Sequence, residues 1–304
     1  MSKPDNRVLP VAALTFTILV WGVTPAVVRS FSLAAGSADA HVIRMWSVAI
    51  CCAVLLPFFG GFKVARQDMP RLLLISLGMF GYFAGTIFGF ARMPASIGGI
   101  VFATQPLLIA LLAAMFGVER LTLPTMLGLA VSFAGTFYLF SGDISAGVDR
   151  SDLIIGGLMI FAGGLFWALY VIFSAPLIQA YGSFKITALS CSLSALPSTL
   201  FFSSSTLATL GHLDSTAWAA LAFLTLIGTL LSVSGWNFAS ARLLPTTVGA
   251  SLYLIPVLAV VAGAVLLGED ITVTTLIAGA VILLGVAVAQ IWPERFMVKS
   301  KNNL

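Results

Sequence analysis

Charge is the scarcest property of this 304-residue sequence. Only 9% of its residues are charged, whereas about 25% is usual in soluble domains, and the mean hydropathy is +1.08. So few charges cannot cover a surface that faces water. The sequence therefore predicts a protein whose solvent is lipid.

Residues and motifs that support catalysis or metal binding are also scarce. The three cysteines, Cys51, Cys52 and Cys191, are odd in number and lack the spacing of a zinc site or a disulfide framework. Two histidines are too few for HExxH or a metal cluster, and GxSxG and GxxxxGK[ST] are absent. We predict no enzymatic activity, cofactor, metal or ATP-driven motor. The basic residues lie in loops and at the chain ends, which argues against nucleic acid as a partner.

Long apolar runs dominate what is present. A spanning helix needs about 20 mostly apolar residues, and these runs are continuous rather than alternating, which excludes a barrel. The first run is long enough to span and lacks a small-residue cleavage site, so we interpret it as a helix and not as a signal peptide. The ten runs are 8–28, 38–59, 70–90, 94–116, 122–140, 153–173, 184–203, 215–237, 246–267 and 273–292.

The lysines and arginines indicate the orientation. With a cytoplasmic N-terminus, eleven of the fifteen fall in cytoplasmic segments, and Arg29, Arg44, Arg92 and Arg150 fall on the other side. This bias follows the positive-inside rule. We predict that both termini are cytoplasmic.

The second half of the sequence repeats the first at an offset of 150 residues. The matches pair Ala91-Arg92 with Ala241-Arg242, Gly99 with Gly249, Pro106 with Pro256, Glu119 with Glu269, Thr122 with Thr272 and Gly135 with Gly285. Because five spans is an odd number, the second half enters the membrane from the opposite side. We predict an all-α membrane protein of ten transmembrane helices arranged as two inverted five-helix repeats. The repeats are 1–145 and 146–293, and 294–304 is a cytoplasmic tail.

Inverted repeats are typical of transporters that work by alternating access, with the substrate near the midplane. Pro106 and Pro256 interrupt matching spans, which points to the centre, although simple packing explains them about as well. Pro25 is a further predicted kink. Gly81, Gly85 and Gly89 share one face of the third span and predict a close helix contact.

Arg44 is the main candidate for a polar substrate contact, with His41 on the same helix face. An arginine within a span is costly and usually functional, and its fork of donors fits a carboxylate. The alternative is that Arg44 reaches out to the headgroups. His41 would assist it near the outer mouth.

Aromatic and amide side chains inside the spans predict an apolar cavity with a few polar groups. Core packing is the competing interpretation for each of them. The candidates are Trp21, Tyr82, Gln105, Trp167, Trp236 and Tyr253.

Glu119 and Glu269 lie at matching span ends, each three residues before a threonine. Their positions on opposite membrane faces predict structural roles, namely helix N-terminal charge and loop hydrogen bonds. No carboxylate falls in the middle of a span, so a proton pump built on a buried acid is not evident.

The chain resembles the EamA-type transporters of the drug/metabolite transporter superfamily over nearly its whole length. The first-half resemblance rests on Trp21-Gly22, Pro25, Arg29, Arg44, Pro106 and the segment 117–122; the second-half resemblance rests on Pro256, 267–269, Thr272 and Gly285. Asp270 and Ala168 depart from the pattern. The resemblance implies ten helices, a bacterial inner membrane, and export of small metabolites such as amino acids.

We therefore predict a secondary transporter for a small organic metabolite, with a lipid bilayer as its surroundings. The fifth and tenth helices would lie at the edge, where they could pair with a second protomer. Two alternatives remain: efflux of lipophilic cations, and a membrane sensor or assembly protein that transports nothing. Substrate, direction and energy coupling stay open.

Overall fold

The structure is a computed structural model that describes residues 8–118, 122–141, 149–243, 248, 251–252 and 254–301. Helices account for almost all of this part of the chain, and it contains no strand. The α-helices are α1 (Val8–Ala35), α2 (Ser37–Leu55), α3 (Met69–Arg92), α4 (Ala95–Phe102), α5 (Gln105–Met115), α6 (Leu123–Ser141), α7 (Arg150–Tyr181), α8 (Ser183–Ser198), α9 (Ser204–His212), α10 (Ser215–Ala222), α11 (Ser232–Ser240), α12 (Leu254–Leu267) and α13 (Val273–Lys301). A π-helix, Phe223–Leu231, joins α10 to α11.

The helices make this a multi-pass membrane protein. Six segments in the described part are long and apolar enough to cross a bilayer: Val8–Ala35, Ser37–Phe59, Arg66–Arg92, Ala95–Met115, Arg150–Tyr181 and Ser215–Ser240. A seventh is possible if the pair Ser183–Phe201 and Ser204–His212, bent by 110°, forms one span. Three shorter apolar helices cover Leu123–Leu139, Leu254–Leu267 and Val273–Val288.

Two predicted runs are interrupted in the structure. The run 94–116 is not one helix, because a turn at Ala103 and Thr104 separates α4 from α5. The run 184–203 ends in a sharp bend, since residues 202–203 leave the helix before α9. α1 and α7 are longer than predicted, at 28 and 32 residues, because the helical backbone continues through 29–35 in α1 and through 150–152 and 174–181 in α7.

α3 and α7 run antiparallel and define the two ends of the molecule. Arg92 pairs with Asp152 at 2.6 Å at one end, and the Tyr181 hydroxyl donates to Asp68 at 2.6 Å at the other. We call the first end the Glu269 end, because Glu269 contacts α4 just beyond α3, and the second the Tyr181 end.

The predicted close contact along the Gly81-Gly85-Gly89 face is confirmed. A Cβ atom on Gly85 would lie 2.5 Å from the Met159 carbonyl oxygen and 2.8 Å from the Gly163 Cα atom on α7. Glycine lets the two backbones touch, and small residues at this spacing serve the same purpose in other membrane helix pairs.

The two halves make corresponding helix contacts: where a helix of the first half packs on the second half, its counterpart packs on the first half. α3 packs on α7, and the matching segment α10–α11 packs on α1. α4 and α5 pack on α7, while α12 packs on α1. Two further pairs, α2 with α8 and α6 with α13, join matching helices, and α4 packs on α12, the counterpart of α5.

Asp39 fastens the bent segment α9 to the start of α2. Its carboxylate accepts hydrogen bonds from Thr206 at 2.6 Å, Thr209 at 2.7 Å and Ser205 at 3.2 Å, and the residue is only 9% exposed. Three hydroxyl donors satisfy a carboxylate that would otherwise be costly to bury.

Replacing Asp39 with alanine should therefore loosen α9. Each bond to a charged acceptor contributes about 1.5–3 kcal/mol, so we expect amide hydrogen exchange in α9 to accelerate at least about tenfold. Asp152→Ala is the matched control, because its exposed ion pair contributes little to stability. Unchanged exchange in α9 would contradict this role.

Candidate functional site

A cavity lies halfway along α1 and α3. Its wall combines side chains from α1, α3, the α4–α5 break, and the start of α12, and its volume is about 30 Å³. The lining residues are Trp21, Thr24, Tyr82, Phe102, Ala103, Gln105, Pro106, Leu252 and Ile255. The chain can form this wall because α4 stops at Phe102 and α5 restarts at Gln105, which places backbone turns beside the cavity.

Aromatic rings from both halves meet at this cavity. The Trp21 ring lies 5.5 Å from Trp167, edge to face, and 5.1 Å from Trp236, and the Tyr82 ring lies 5.0 Å from Trp167. The Trp21 indole N–H donates to the Ser232 hydroxyl at 2.9 Å, so its polar atom is satisfied. Offset and edge-to-face pairs of this kind stabilise a fixed arrangement.

A larger cavity of about 370 Å³ continues from the first toward the Tyr181 end. The two cavities share Pro106 and Leu252. The lining of the larger one includes Trp236 and Asn237 at its deep side and Ser240 and Gln179 near the helix ends. Ser240 and Gln179 are exposed, so this cavity reaches the molecular surface. Its volume falls in the range of small-molecule sites.

Tight packing of small residues closes the cavity at the opposite side. A Cβ atom on Gly22 would lie 2.3 Å from the Leu258 Cβ atom, and one on Gly99 would lie 2.3 Å from the Ala259 Cβ atom. Ala26, Ala95 and Ala262 form a small buried cluster farther along the same seam. α1, α4 and α12 therefore meet with almost no space between them.

Glu269 holds the far end of this seam. Its carboxylate accepts hydrogen bonds from the backbone N–H of Ala95 at 2.7 Å, the N–H of Ser96 at 2.9 Å and the Ser96 hydroxyl at 2.7 Å. Gly268, with φ +65°, turns the chain back so that the carboxylate reaches Gly263 and α4. The negative charge complements the N-terminal end of the α4 dipole.

Arg29 joins the same group of contacts. Its Nε atom lies 3.4 Å from a Glu269 carboxylate oxygen, and its Nη1 atom donates to the carbonyl oxygens of Phe90, at 3.0 Å, and Met93. We call Arg29, Ser96 and Glu269, with the N–H groups of Ala95 and Ser96, the Glu269 network. It ties α1, the end of α3, the start of α4 and the end of α12 together.

We predicted that Glu269 has a structural role, namely helix N-terminal charge and loop hydrogen bonds. At the start of the next helix, the Thr272 hydroxyl accepts from the Thr275 N–H at 3.1 Å. Glu269 serves the N-terminus of α4 in the other half, 173 residues away in sequence. Glu119, its predicted counterpart, lies outside the described residues.

Arg44 is fully enclosed, with an exposure of 2%. Its Nη2 atom donates to the Thr229 hydroxyl of the π-helix at 3.3 Å, and its guanidinium lies 4.6 Å from the centre of the Phe83 ring. Its Nε and Nη1 atoms have no hydrogen-bond partner among the described residues. Arg44 therefore does not extend to lipid headgroups. This rules out the second of the two interpretations that its sequence position allowed.

His41 lies apart from the cavity lining. Its ring packs against Phe80, Phe88 and Phe201 at 5.6, 6.2 and 5.6 Å, and its Nε2 atom is 3.0 Å from the Ser198 hydroxyl. Neither His41 nor Arg44 belongs to the described lining of the two cavities. Arg44 lies one side chain behind it, because Phe83, which it contacts, packs on Tyr82 at 5.3 Å.

The other predicted site residues fall as follows. Pro106 is in the first turn of α5 and lines both cavities, Pro256 is buried in α12, and Pro25 is buried inside α1. The Nε2 atom of Gln105 is buried without a hydrogen-bond partner in the described part of the chain. Tyr253 lies outside the described residues, although its neighbour Leu252 lines the cavity.

Sequence reasoning missed several residues that matter here. Thr24, Phe102 and Ile255 line the cavity, and Ser232 holds the Trp21 ring. Their residue types are ordinary in apolar helices, so no sequence signal separated them. Arg29 did carry a sequence signal, because it is a charged residue next to an apolar run. We counted it among the basic residues of the outer segments and did not consider it as a site residue.

Comparison with known sequences gives two matches to one family. Residues 9–141 and 154–290 each match the family described as the EamA-like transporter family. Together the matches cover most of the chain, one in each half.

Individual proteins are similar over most of their length. A probable terminal-alkyne amino-acid exporter of Streptantibioticus cattleyicolor is 26% identical over 279 residues, covering 90% of this chain and 91% of that protein. A probable amino-acid metabolite efflux pump of Salmonella typhimurium is 27% identical over 283 residues, covering 88% and 89%. One crystal structure has the same fold, with a TM-score of 0.58 and 21% identity over 92% of this chain and 98% of that chain.

Proposed function

Because the chain belongs to the EamA-like transporter family, we propose that it exports a small organic metabolite of the amino-acid class by alternating access. The membrane is the bacterial inner membrane, and the process is secondary transport. The two similar proteins whose names specify amino-acid export support this substrate class.

One observation carries the proposal. A cavity walled by aromatic rings from both halves is open toward the Tyr181 end and closed by a small-residue seam at the Glu269 end. Alternating access requires a central site that communicates with one side at a time.

The arrangement of spans belongs to the same proposal. Ten transmembrane helices form two inverted repeats, 1–145 and 146–293, with both termini in the cytoplasm. Six long apolar segments, one bent pair and three shorter apolar helices support this number. The exchange of helix contacts between halves supports the repeat, and the distribution of lysine and arginine supports the orientation. The Tyr181 end then faces the cytoplasm, the side from which an exporter loads.

The cavity suits a solute with an apolar part and a carboxylate. Trp21 and Tyr82, which line the first cavity, and Trp236, which lines the larger one, offer ring surfaces to the apolar part. Trp167 packs behind Trp21 and Tyr82, outside the described lining of both cavities. Gln105 offers a buried amide donor that lacks a partner within the described chain. Arg44 would bind the carboxylate once the Tyr82 wall shifts. Its enclosed guanidinium has two nitrogens without a partner among the described residues, and such a group gains most from an anionic partner.

Efflux of lipophilic cations is the alternative within transport. The aromatic walls favour it, since rings attract cations. The described lining of the two cavities contains no carboxylate, and Arg44 adds a positive charge nearby. A protein that senses or assembles without transport would not need a cavity that opens toward one end.

Uptake into proteoliposomes tests the proposal. We expect labelled apolar or aromatic amino acids to exchange faster than in empty liposomes, and Trp21→Ala to lower the rate at least about tenfold, because the ring forms the cavity wall. Trp218→Ala is the matched control, as Trp218 is 46% exposed on α10. Transport of lipophilic cations alone would favour the alternative. No transport and no thermal stabilisation by any metabolite would contradict the proposal.

A further inference from the structure

The Glu269 network is more elaborate than an ordinary helix cap. Three donors converge on one carboxylate, and a fourth group, Arg29, ties it to the end of α3. The contacts involve four helices: Arg29 lies on α1, the Phe90 carbonyl that it contacts on α3, and Ser96 on α4, while Glu269 lies just after α12. Contacts that cross so many elements at one end resist separation of those elements.

The network also lies where the path from the cavity must open. The seam between α1, α4 and α12 runs from Gly22 and Gly99 beside the cavity to Gly263 beneath the Glu269 carboxylate. Glycine and alanine residues make much of the packing along it, and in the described part of the chain the one large side chain that meets a glycine there is Leu258, which packs on Gly22. Surfaces of small residues interlock little, so they separate easily. The hydrogen bonds and the ion pair at the end of the seam are therefore the contacts that hold α1, α4 and α12 together there.

We infer that the Glu269 network is the latch that keeps the cavity closed at the Glu269 end, and that its release permits opening there. This rests on the proposed alternating access. Release means that Ser96 and the α4 N-terminus move away from Glu269, so that α4 separates from α12. The seam has no other charged contact in the described residues.

The side-chain geometry offers two independent ways to weaken the latch. Glu269→Gln keeps the shape of the side chain and removes its charge, which weakens the hydrogen bonds from Ala95 and Ser96. Gly263→Ala keeps the charge, but its Cβ atom would lie 2.6 Å from the Glu269 carboxylate oxygen and displace it. That oxygen ends a flexible side chain, so the variant can fold around the added methyl group.

Cysteine accessibility can report which end is open. Thr24, which lines the central cavity, is replaced by cysteine in a background where Cys51, Cys52 and Cys191 are alanine. A charged, membrane-impermeant thiol reagent is added to right-side-out and everted vesicles, so that each end is exposed in turn. The wild-type latch should allow modification mainly from the Tyr181 end.

With Glu269→Gln or Gly263→Ala, we expect modification from the Glu269 end to rise at least about tenfold, because loss of charge-assisted bonds shifts the balance between the two states by such a factor. Modification from the Tyr181 end should not rise, because a shift between two states removes population from the state that is open there. The matched controls are Asp270→Asn, next to Glu269 and exposed, and Gly211→Ala, where an added Cβ meets no atom within 4 Å. Both should behave as the wild type.

A purely structural role would give a different pattern. If the network only stabilises the fold, the variants would raise reactivity from both ends or lower the yield of monodisperse protein. Equal rates in Gly263→Ala and Gly211→Ala would overturn the latch. The readout needs no substrate, so a failed search for transported metabolites would count against the proposed function and leave the latch standing.

Discussion

Replacing Arg44 with alanine is expected to reduce transport by about 100-fold or more. The guanidinium is enclosed, with one long hydrogen bond to Thr229 and two nitrogens unpaired among the described residues. Removing one member of an enclosed charge pair costs about 2–5 kcal/mol or more, and the proposed carboxylate would lose its partner. The measurement is the initial rate of amino-acid exchange in proteoliposomes.

Two further variants separate binding from folding. Arg44→Lys keeps the charge and loses the planar fork, so it should restore little activity. Arg92→Ala removes an exposed arginine, whose side chain is 44% accessible, and should transport normally. All variants are compared by size-exclusion profile and thermal melting. Normal transport by well-folded Arg44→Ala would rule out the anchoring role.

Replacing Gly85 with leucine is expected to prevent normal folding. The α3 and α7 backbones touch at this position, and even a Cβ atom would meet the Met159 carbonyl oxygen at 2.5 Å. Backbone atoms cannot give way as a flexible side chain can, so the helices must separate along their length. Overpacking typically costs about 1–3 kcal/mol and occasionally more, and we expect the upper end here.

The yield of monodisperse protein and its melting temperature measure this effect. Gly211→Leu is the matched control, because the α9 glycine is exposed and an added Cβ meets nothing within 4 Å. A Gly85→Leu protein that melts like Gly211→Leu would show that α3 and α7 can part freely.

The helices were predictable because a lipid environment requires long stretches of apolar residues. A span must be apolar for about 20 residues, so the apolar runs located helical segments, although the run 94–116 contains two helices. The spacing of Gly81, Gly85 and Gly89 predicted a contact face. Residue chemistry also pointed to Trp21, Tyr82 and Gln105, which line the central cavity. In these cases the property that determines the structure, such as apolar length or residue size, is visible in the local sequence.

Other features depend on partners far away in the chain. The bond from Ser96 to Glu269 joins residues 173 positions apart, and nothing near either residue indicates the other. The depth of Arg44 suggested a route to the headgroups, but Thr229 and Phe83 enclose it. The bend before α9 depends on Asp39 holding three hydroxyls from a separate helix.

The π-helix imposes a constraint on chain length. Its wider turns, in which the Thr229 hydroxyl bonds to the Leu224 carbonyl five residues earlier at 2.7 Å, set the rotation of everything that follows. Downstream, Ser232 holds Trp21 and Asn237 donates to the Tyr170 hydroxyl at 2.7 Å. Inserting one residue just before Ser232 would turn α11 by about 100° about its axis and move both side chains off their partners. A deletion of one residue within Phe223–Leu231 should be tolerated better, because a wide π turn that loses one residue becomes an α-helical turn.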